Sequence, residues 1–167
     1  KYGGDRMPRD VIEVMDKLGI KTAHIHGYSM GGQMVSQLMH GWPERFITAG
    51  FGGSGVAEKD EAAREKAAAL DPKGADPEQE IALGTLQGRA GRDEEALKAV
   101  RAGRQKNPPV LVQDLTRIGF PVLSVNGEFD KPHSKTVRMQ RELKNHKAVV
   151  LPGKAHNTAI MAGYIPQ

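Results

Sequence analysis

The sequence Gly27-Tyr28-Ser29-Met30-Gly31-Gly32 joins two segments of different periodicity. Residues 21–26 before it form a short run that predicts a strand, and residues 30–39 repeat methionine, valine and leucine at helical spacing. A serine flanked by glycines between a strand and a helix indicates a sharp turn that exposes the hydroxyl. We expect both flanking glycines, Gly27 and Gly31, to be required, because a Cβ there would clash with neighbouring backbone. The alternative is a glycine-rich turn that only packs a strand on a helix.

Predicted strands and helices alternate on both sides of this turn. Helices are predicted over 7–18, 136–143 and 158–162, and strands over 45–49, 121–125 and 147–151. This alternation is typical of an α/β fold with a parallel sheet covered by helices on both faces. We therefore expect an α/β fold class.

Residues 58–106 differ in composition from the rest of the chain. They hold eleven acidic and ten basic residues among many alanines. We expect three helices, one of which starts at Asp76-Pro77, because proline is tolerated at the first helical position and an aspartate side chain can cap free amides. The predicted organisation is a first core part over 1–57, a helical, lid-like insert over 58–107 and a second core part over 108–167. A disordered charged stretch is the alternative for the insert.

Composition excludes several classes of protein. The 167 residues, 38% of them hydrophobic, are enough for one globular domain with a sizeable core. No apolar run approaches the ~20 residues that a membrane-spanning helix needs. The net charge of +4 is scattered and few aromatic residues accompany it, so a nucleic-acid interface is not supported. The absence of cysteine excludes disulfides, thiolate metal sites and thiol catalysis, and suits a reducing, cytoplasmic compartment.

Three motifs together resemble those of the α/β-hydrolase family, in particular its serine esterases and lipases. The first is His26-Gly27-Tyr28-Ser29-Met30-Gly31-Gly32, which is similar to the turn that carries the family's nucleophile. The second is Asn126-Gly127-Glu128-Phe129-Asp130 after a predicted strand, and the third is Pro152-Gly153-Lys154-Ala155-His156 after another. Serine, aspartate and histidine follow one another in the order that this family uses.

The resemblance implies a Ser-His-Asp triad made of Ser29, His156 and Asp130. His156 would take the proton of Ser29, and Asp130 would orient the imidazole and stabilise its charged form. The backbone amide of Met30 would donate to the oxyanion. The implied activity is hydrolysis of a small carboxylic ester or related acyl compound through an acyl-enzyme, without a cofactor or metal. Activity should rise with pH as His156 becomes neutral.

Other residues compete for these roles. Glu128, two residues before Asp130, is an alternative acid, and His133 is an alternative base. His24 and His26 share one face of a predicted strand and could suggest a metal pair, but no carboxylate or third ligand is near them in sequence. We interpret this pair as structural or partly exposed.

The segment Gly50-Phe51-Gly52-Gly53-Ser54-Gly55 fits the G-x-G-x-x-G pattern of dinucleotide-binding folds. That site also requires a second strand that ends in an acidic residue about 20 residues further on. Residues 71–76 occupy that position, and no strand is predicted before them. We interpret the glycines as a flexible exit from a strand beside the site.

The resemblance also implies parts that this sequence does not contain. The family has further strands before the helix predicted over 7–18, and a His-Gly type segment after one of them supplies a second oxyanion amide. We therefore expect a partial α/β-hydrolase fold that lacks its N-terminal strands. The strand before Ser29 would then have a bare edge, able to pair with a second copy or with a missing N-terminal segment. A non-catalytic binding module with the same fold is the alternative function.

Overall fold

The structure, a computed structural model, describes residues 6–56, 58, 60–73, 93–104 and 112–161. Its elements are α1 (Arg6–Lys17), β1 (Ala23–Tyr28), α2 (Met30–Gly41), a 3-10 turn (Pro43–Arg45), β2 (Phe46–Gly52), α3 (Glu61–Ala68), α4 (Glu94–Arg104), α5 (Val112–Thr116), β3 (Val122–Gly127), α6 (Pro132–Glu142), β4 (His146–Leu151) and α7 (His156–Met161). The helix start expected at Asp76-Pro77 lies outside the described residues.

The four strands form one parallel sheet in the order β1-β2-β3-β4. Each strand therefore lies beside the next one along the chain, and helices make the crossovers that parallel pairing requires. The expected α/β class and partial parallel sheet are confirmed. Because all strands run the same way, the loops that follow them meet at one edge of the sheet.

Helices α2 and α6 pack on one face of the sheet and form the main core with it. Its buried members come from these helices, from β2 and β3, and from the segments after β2, before β3 and after α6: Val35, Met39, Ala49, Phe51, Val56, Leu115, Ile118, Val122, Met139 and Leu143. A second cluster attaches α1 to α2 and to the start of β2, through Ile12, Met15, Leu38 and Phe46. Met39 of α2 and Met139 of α6 thus fill gaps in the core.

Two predicted boundaries differ most from the structure. Strand β2 continues to Gly52, so the first glycines of the segment 50–55 belong to a strand and not to a flexible exit. Helix α6 begins at Pro132, four residues before the predicted start. Proline fits the first turn of a helix because it has no N–H to leave unpaired. The side chain of Asp71 also accepts from the backbone N–H groups of His133 and Ser134, which caps α6 from a distant part of the chain.

Among the residues that the structure describes, fewer helical residues cover the opposite face of the sheet than expected. Side chains of β1 and β2 that alternate with the core residues point to that face, beside Leu123 of β3. Within the described residues, this face carries a groove of about 680 Å³ near the amino ends of the strands; its lining includes His24, His26, Thr48, Gly50, Leu123 and His146. No helix in the described parts of the chain is long and apolar enough to cross a bilayer.

Candidate active site

Ser29 lies in the turn between β1 and α2, in a backbone conformation that is rare outside glycine. Its φ is 54° and its ψ is −112°. The Ser29 N–H donates to the Gly52 carbonyl at 2.8 Å, and the Ser29 carbonyl accepts from the Gln33 N–H at 3.2 Å. The Ser29 hydroxyl makes no capping hydrogen bond to α2, which leaves it available for a partner across the site.

The two glycines that flank Ser29 have different roles. A Cβ at Gly27 would collide with the backbone carbonyl of Gly31, so the expectation is correct for Gly27. A Cβ at Gly31 would meet no atom within 4 Å outside its own helix backbone and chain neighbours, so no clash with a neighbouring element requires glycine there. The other close approach falls on Gly32, where a Cβ would collide with the side chain of Ser54. β1 and the first turn of α2 therefore pack almost backbone to backbone, and this places Ser29 at the end of the strand.

The structure brings together the three side chains predicted to act together. His156 Nε2 is 2.8 Å from Ser29 Oγ. His156 Nδ1 is 2.9 Å from Asp130 Oδ2 and 3.0 Å from Oδ1. With His156 neutral and protonated at Nδ1, the ring donates to the carboxylate and accepts from the serine hydroxyl. Asp130 is buried, at 5% exposure, so its charge acts in a medium that screens less than water.

The carboxyl ends of the strands explain why these residues meet. Ser29 follows β1 directly, and Asp130 follows β3 after a short loop. His156 opens α7, just beyond the end of β4. Parallel strands bring these three loops to one edge of the sheet, where α/β folds commonly bind ligands.

Tyr28 and Gly53 fix the position of His156. The Tyr28 hydroxyl donates to the backbone carbonyl of His156 at 2.6 Å, and the ring centroids are 5.5 Å apart. Gly53 has a φ of +57°, and a Cβ there would lie 2.9 Å from two atoms of the His156 ring. Tyr28 could not be predicted from the sequence, because the serine-centred pattern leaves its position variable.

Lys135 of α6 also touches the acid. Its Nζ contacts Asp130 Oδ1, one of the two oxygens that face His156. The Lys135 side chain is 26% exposed and that of Asp130 is 6% exposed, so the pair is largely sheltered. This contact was not predicted. The sequence feature that could have indicated it is a lysine in the first turn of the helix that begins just after Asp130.

The competing residues make other contacts. Glu128 Oε2 accepts from the Gly153 N–H at 2.8 Å and so holds the loop that precedes α7. His133 is exposed, and its backbone N–H donates to Asp71 at 2.9 Å. The geometry thus pairs His156 with Asp130.

The two histidines of β1 lie away from this edge, near the amino ends of the strands. His24 Nδ1 is 2.8 Å from Thr48 Oγ1. Burial lowers the pKa of His26, because desolvation penalises the charged ring. Among the residues that the structure describes, no three histidine, cysteine or acidic side chains are grouped as metal ligands.

Met30 is the first residue of α2. Backbone N–H groups in the first turn of a helix have no carbonyl partner within the helix, and the helix dipole favours negative charge there. This is the setting that an oxyanion donor needs. The assignment of the Met30 amide to that role stays a prediction.

Neither a protein-family profile nor a curated protein sequence matches the chain. Solved structures do match it. MGS-M2, an α/β hydrolase from a Medee basin deep-sea metagenome, superposes with a TM-score of 0.61 and 16% identity over 100% of this chain and 74% of that one. A meta-cleavage product hydrolase from Pseudomonas fluorescens superposes with a TM-score of 0.70 and 18% identity over 97% and 68%. This chain has the α/β-hydrolase fold.

A third similar structure comes from a study of carboxylesterases of Nitrososphaera gargenis. It has a TM-score of 0.63 and 18% identity over 96% of this chain and 67% of that one. Identities this low establish the fold and nothing finer, so the chemistry of this α/β-hydrolase fold has to be argued from its own residues.

Proposed function

We propose that this protein is a serine hydrolase that cleaves carboxylic ester or related acyl bonds through an acyl-enzyme at Ser29. The observation that carries the proposal is the unbroken hydrogen-bond chain from Asp130 through His156 to Ser29, with contacts of 2.9 and 2.8 Å. A serine hydroxyl is a weak nucleophile at its own pKa, and it needs a base at this distance.

The proposed reaction has two halves: acylation of Ser29 and hydrolysis of the acyl-enzyme by water. His156 Nε2 takes the proton of Ser29 as Oγ bonds to the acyl carbon, and the carbonyl oxygen becomes an oxyanion that faces the Met30 amide. The oxyanion collapses, the bond to the leaving alcohol breaks, and His156 gives the alcohol its proton. Water then repeats these steps on the acyl-enzyme and releases the acid. Asp130 stays ionised throughout and stabilises the imidazolium.

Ester hydrolysis is favoured by the serine itself, because displacement chemistry on the same fold would need a carboxylate in its place. The similar structure from the Nitrososphaera gargenis carboxylesterase study is consistent with this choice. A triad of this type also supports cleavage of carbon–carbon bonds, and the Pseudomonas fluorescens neighbour is named as a meta-cleavage product hydrolase.

A non-catalytic binding module is the second candidate. The observation that favours it is that, within the described residues, the Met30 amide is the one oxyanion donor that we assign. Lack of a second such donor lowers the rate by about a hundredfold to a thousandfold. With the Met30 amide alone, turnover would be slow even with Ser29, His156 and Asp130 in place.

Labelling with a fluorophosphonate probe separates the two candidates. We expect the probe to modify the peptide that contains Ser29, because the reagent reports an activated serine. Ser29→Ala should abolish labelling, and His156→Gln should slow it by at least a hundredfold. Ser36→Ala, which changes a buried serine on α2, is the matched control and should label normally.

Peptide mapping by mass spectrometry and circular dichroism complete the experiment. Labelling that persists in Ser29→Ala would contradict the assignment of the nucleophile. No labelling in a chain with a native spectrum would favour the binding module.

A further inference from the structure

Lys135 shares the carboxylate of Asp130 with His156. Its Nζ contacts Oδ1, which is also 3.0 Å from His156 Nδ1. The acid that orients the imidazole is therefore bonded at the same time to a side chain that carries a full positive charge at neutral pH.

The backbone of Lys135 is fixed from two sides. The loop after β2 approaches so closely that a Cβ at Gly55 would collide with the Lys135 carbonyl. Asp71 caps the first turn of α6 through the N–H groups of His133 and Ser134, just before Lys135. These contacts fix the backbone from which the Lys135 ammonium group reaches Asp130. Only 26% of the Lys135 side chain is exposed.

We propose that Lys135 is a positioning residue that sets the pH range in which His156 works as a base. The proposal rests on the function proposed for Ser29, His156 and Asp130. Lys135 acts through Asp130 and does not touch the reacting atoms. A cation on the carboxylate offsets part of the negative charge that stabilises the imidazolium. His156 therefore loses its proton at a lower pH than it would beside Asp130 alone, and the active range extends toward acid.

The other groups around His156 do not supply this effect. Ser29 and the Tyr28 hydroxyl, which face it from β1 and its turn, are neutral near pH 7. Glu128 is engaged with the backbone of the loop before α7. Lys131 and Lys154 lie in the two loops that deliver Asp130 and His156, and among the described contacts neither forms an ion pair with Asp130.

The test compares Lys135→Met and Lys135→Gln with Lys135→Arg. Two quantities are measured: the acid limb of kcat/KM for a p-nitrophenyl ester, and the titration midpoint of the His156 ring by NMR, assigned with His156→Gln. In both neutral variants we expect the midpoint of the acid limb and the NMR midpoint of His156 to rise by about half a pH unit to one pH unit, because one positive charge close to the imidazole is removed. Lys135→Arg should keep the wild-type values, and Lys131→Met is the matched control that should also keep them.

Three outcomes would overturn the proposal. They are an unchanged midpoint in both neutral variants, a downward shift, or a lower kcat with an unchanged pH profile, which indicates a purely structural contact. Lys135→Gln keeps a hydrogen-bond donor, and so covers the case in which Lys135→Met does not fold. The NMR midpoint needs no turnover: absence of labelling at Ser29 would refute the proposed function, and the midpoint would still decide whether Lys135 acts on His156.

Discussion

At Ser29, the backbone conformation favours glycine, whereas the contact with His156 requires a hydroxyl. Its backbone conformation, with φ at 54°, costs a non-glycine residue on the order of 1–3 kcal/mol. Glycine would remove that cost and would also remove the hydroxyl that contacts His156. The surrounding contacts, from the Gly52 carbonyl to the tight packing at Gly27, hold the serine in place. Such a cost fits the role proposed for Ser29, because functional positions commonly oppose local stability.

We expect Ser29→Gly to be more stable than Ser29→Ala by about 1 kcal/mol. Both variants lack the hydroxyl, and only glycine adopts this backbone conformation without strain. Urea denaturation followed by circular dichroism measures the difference. The same pair of substitutions at Ser36, inside α2, is the control and should favour alanine, because glycine lowers helix stability. Equal stability of the two Ser29 variants would contradict the strain argument.

The residues that carry the proposed chemistry could be predicted from sequence because each belongs to a short motif. Ser29, Asp130 and His156 each follow a predicted strand, and a parallel sheet brings such positions together. Tyr28 and Lys135 could not be found in this way. Their contacts depend on how a strand end and a helix start are placed in space, and their motif positions accept many residue types.

At the scale of elements, α6 shows why a local sequence pattern can predict the wrong start of a helix. The amphipathic pattern over 136–143 omits its first turn, which is stabilised by Pro132 and by a cap from Asp71. Asp71 is 61 residues before Pro132 in the chain, so no local signal links them. α3 differs, because Asp60 caps it locally by accepting from the N–H groups of Ala62 and Ala63.

We expect Asp71→Ala to destabilise the protein by about 1–3 kcal/mol. Asp71 is buried, and its loss leaves two N–H groups of α6 without their acceptor and removes one of the two acceptors of the Ser134 hydroxyl. Asp60→Ala, which removes an exposed local cap, is the matched control and should cost about 1 kcal/mol. Thermal unfolding followed by circular dichroism gives both values. A loss at Asp71 no larger than the loss at Asp60 would show that the long-range cap adds nothing.

At the scale of the whole molecule, the two ends of the sheet differ. The carboxyl ends gather Ser29, Asp130 and His156, and within the described residues the amino ends carry an open groove on the face away from α2 and α6. Alternating strands and helices predicted the sheet and the end at which the site lies. They could not predict how far each face is covered, because that depends on which helices of the chain pack there. Within the described residues, β1 pairs only with β2, so its outer edge is unpaired.

We expect two copies of this chain to associate through the open face and the outer edge of β1. An unpaired edge and exposed apolar residues such as Leu123, at 41% exposure, both favour contact with another chain. The weight-average mass from sedimentation velocity should rise with protein concentration toward that of a dimer. Leu123→Lys should weaken the association, and Val14→Lys, which changes an exposed residue of α1, is the control that should not.

The association should also weaken in acidic solution. Burial lowers the pKa of His26, so its ring is neutral at pH 7 and takes up a proton only in more acidic solution. The His26 ring lies over Gly50 in the groove, and charging it there opposes the burial of an apolar contact. Sedimentation at pH 7.5 and pH 5.5 measures the change. A single-chain mass at every concentration at pH 7.5 would contradict association, and an unchanged mass at pH 5.5 would show that the groove is not part of the contact.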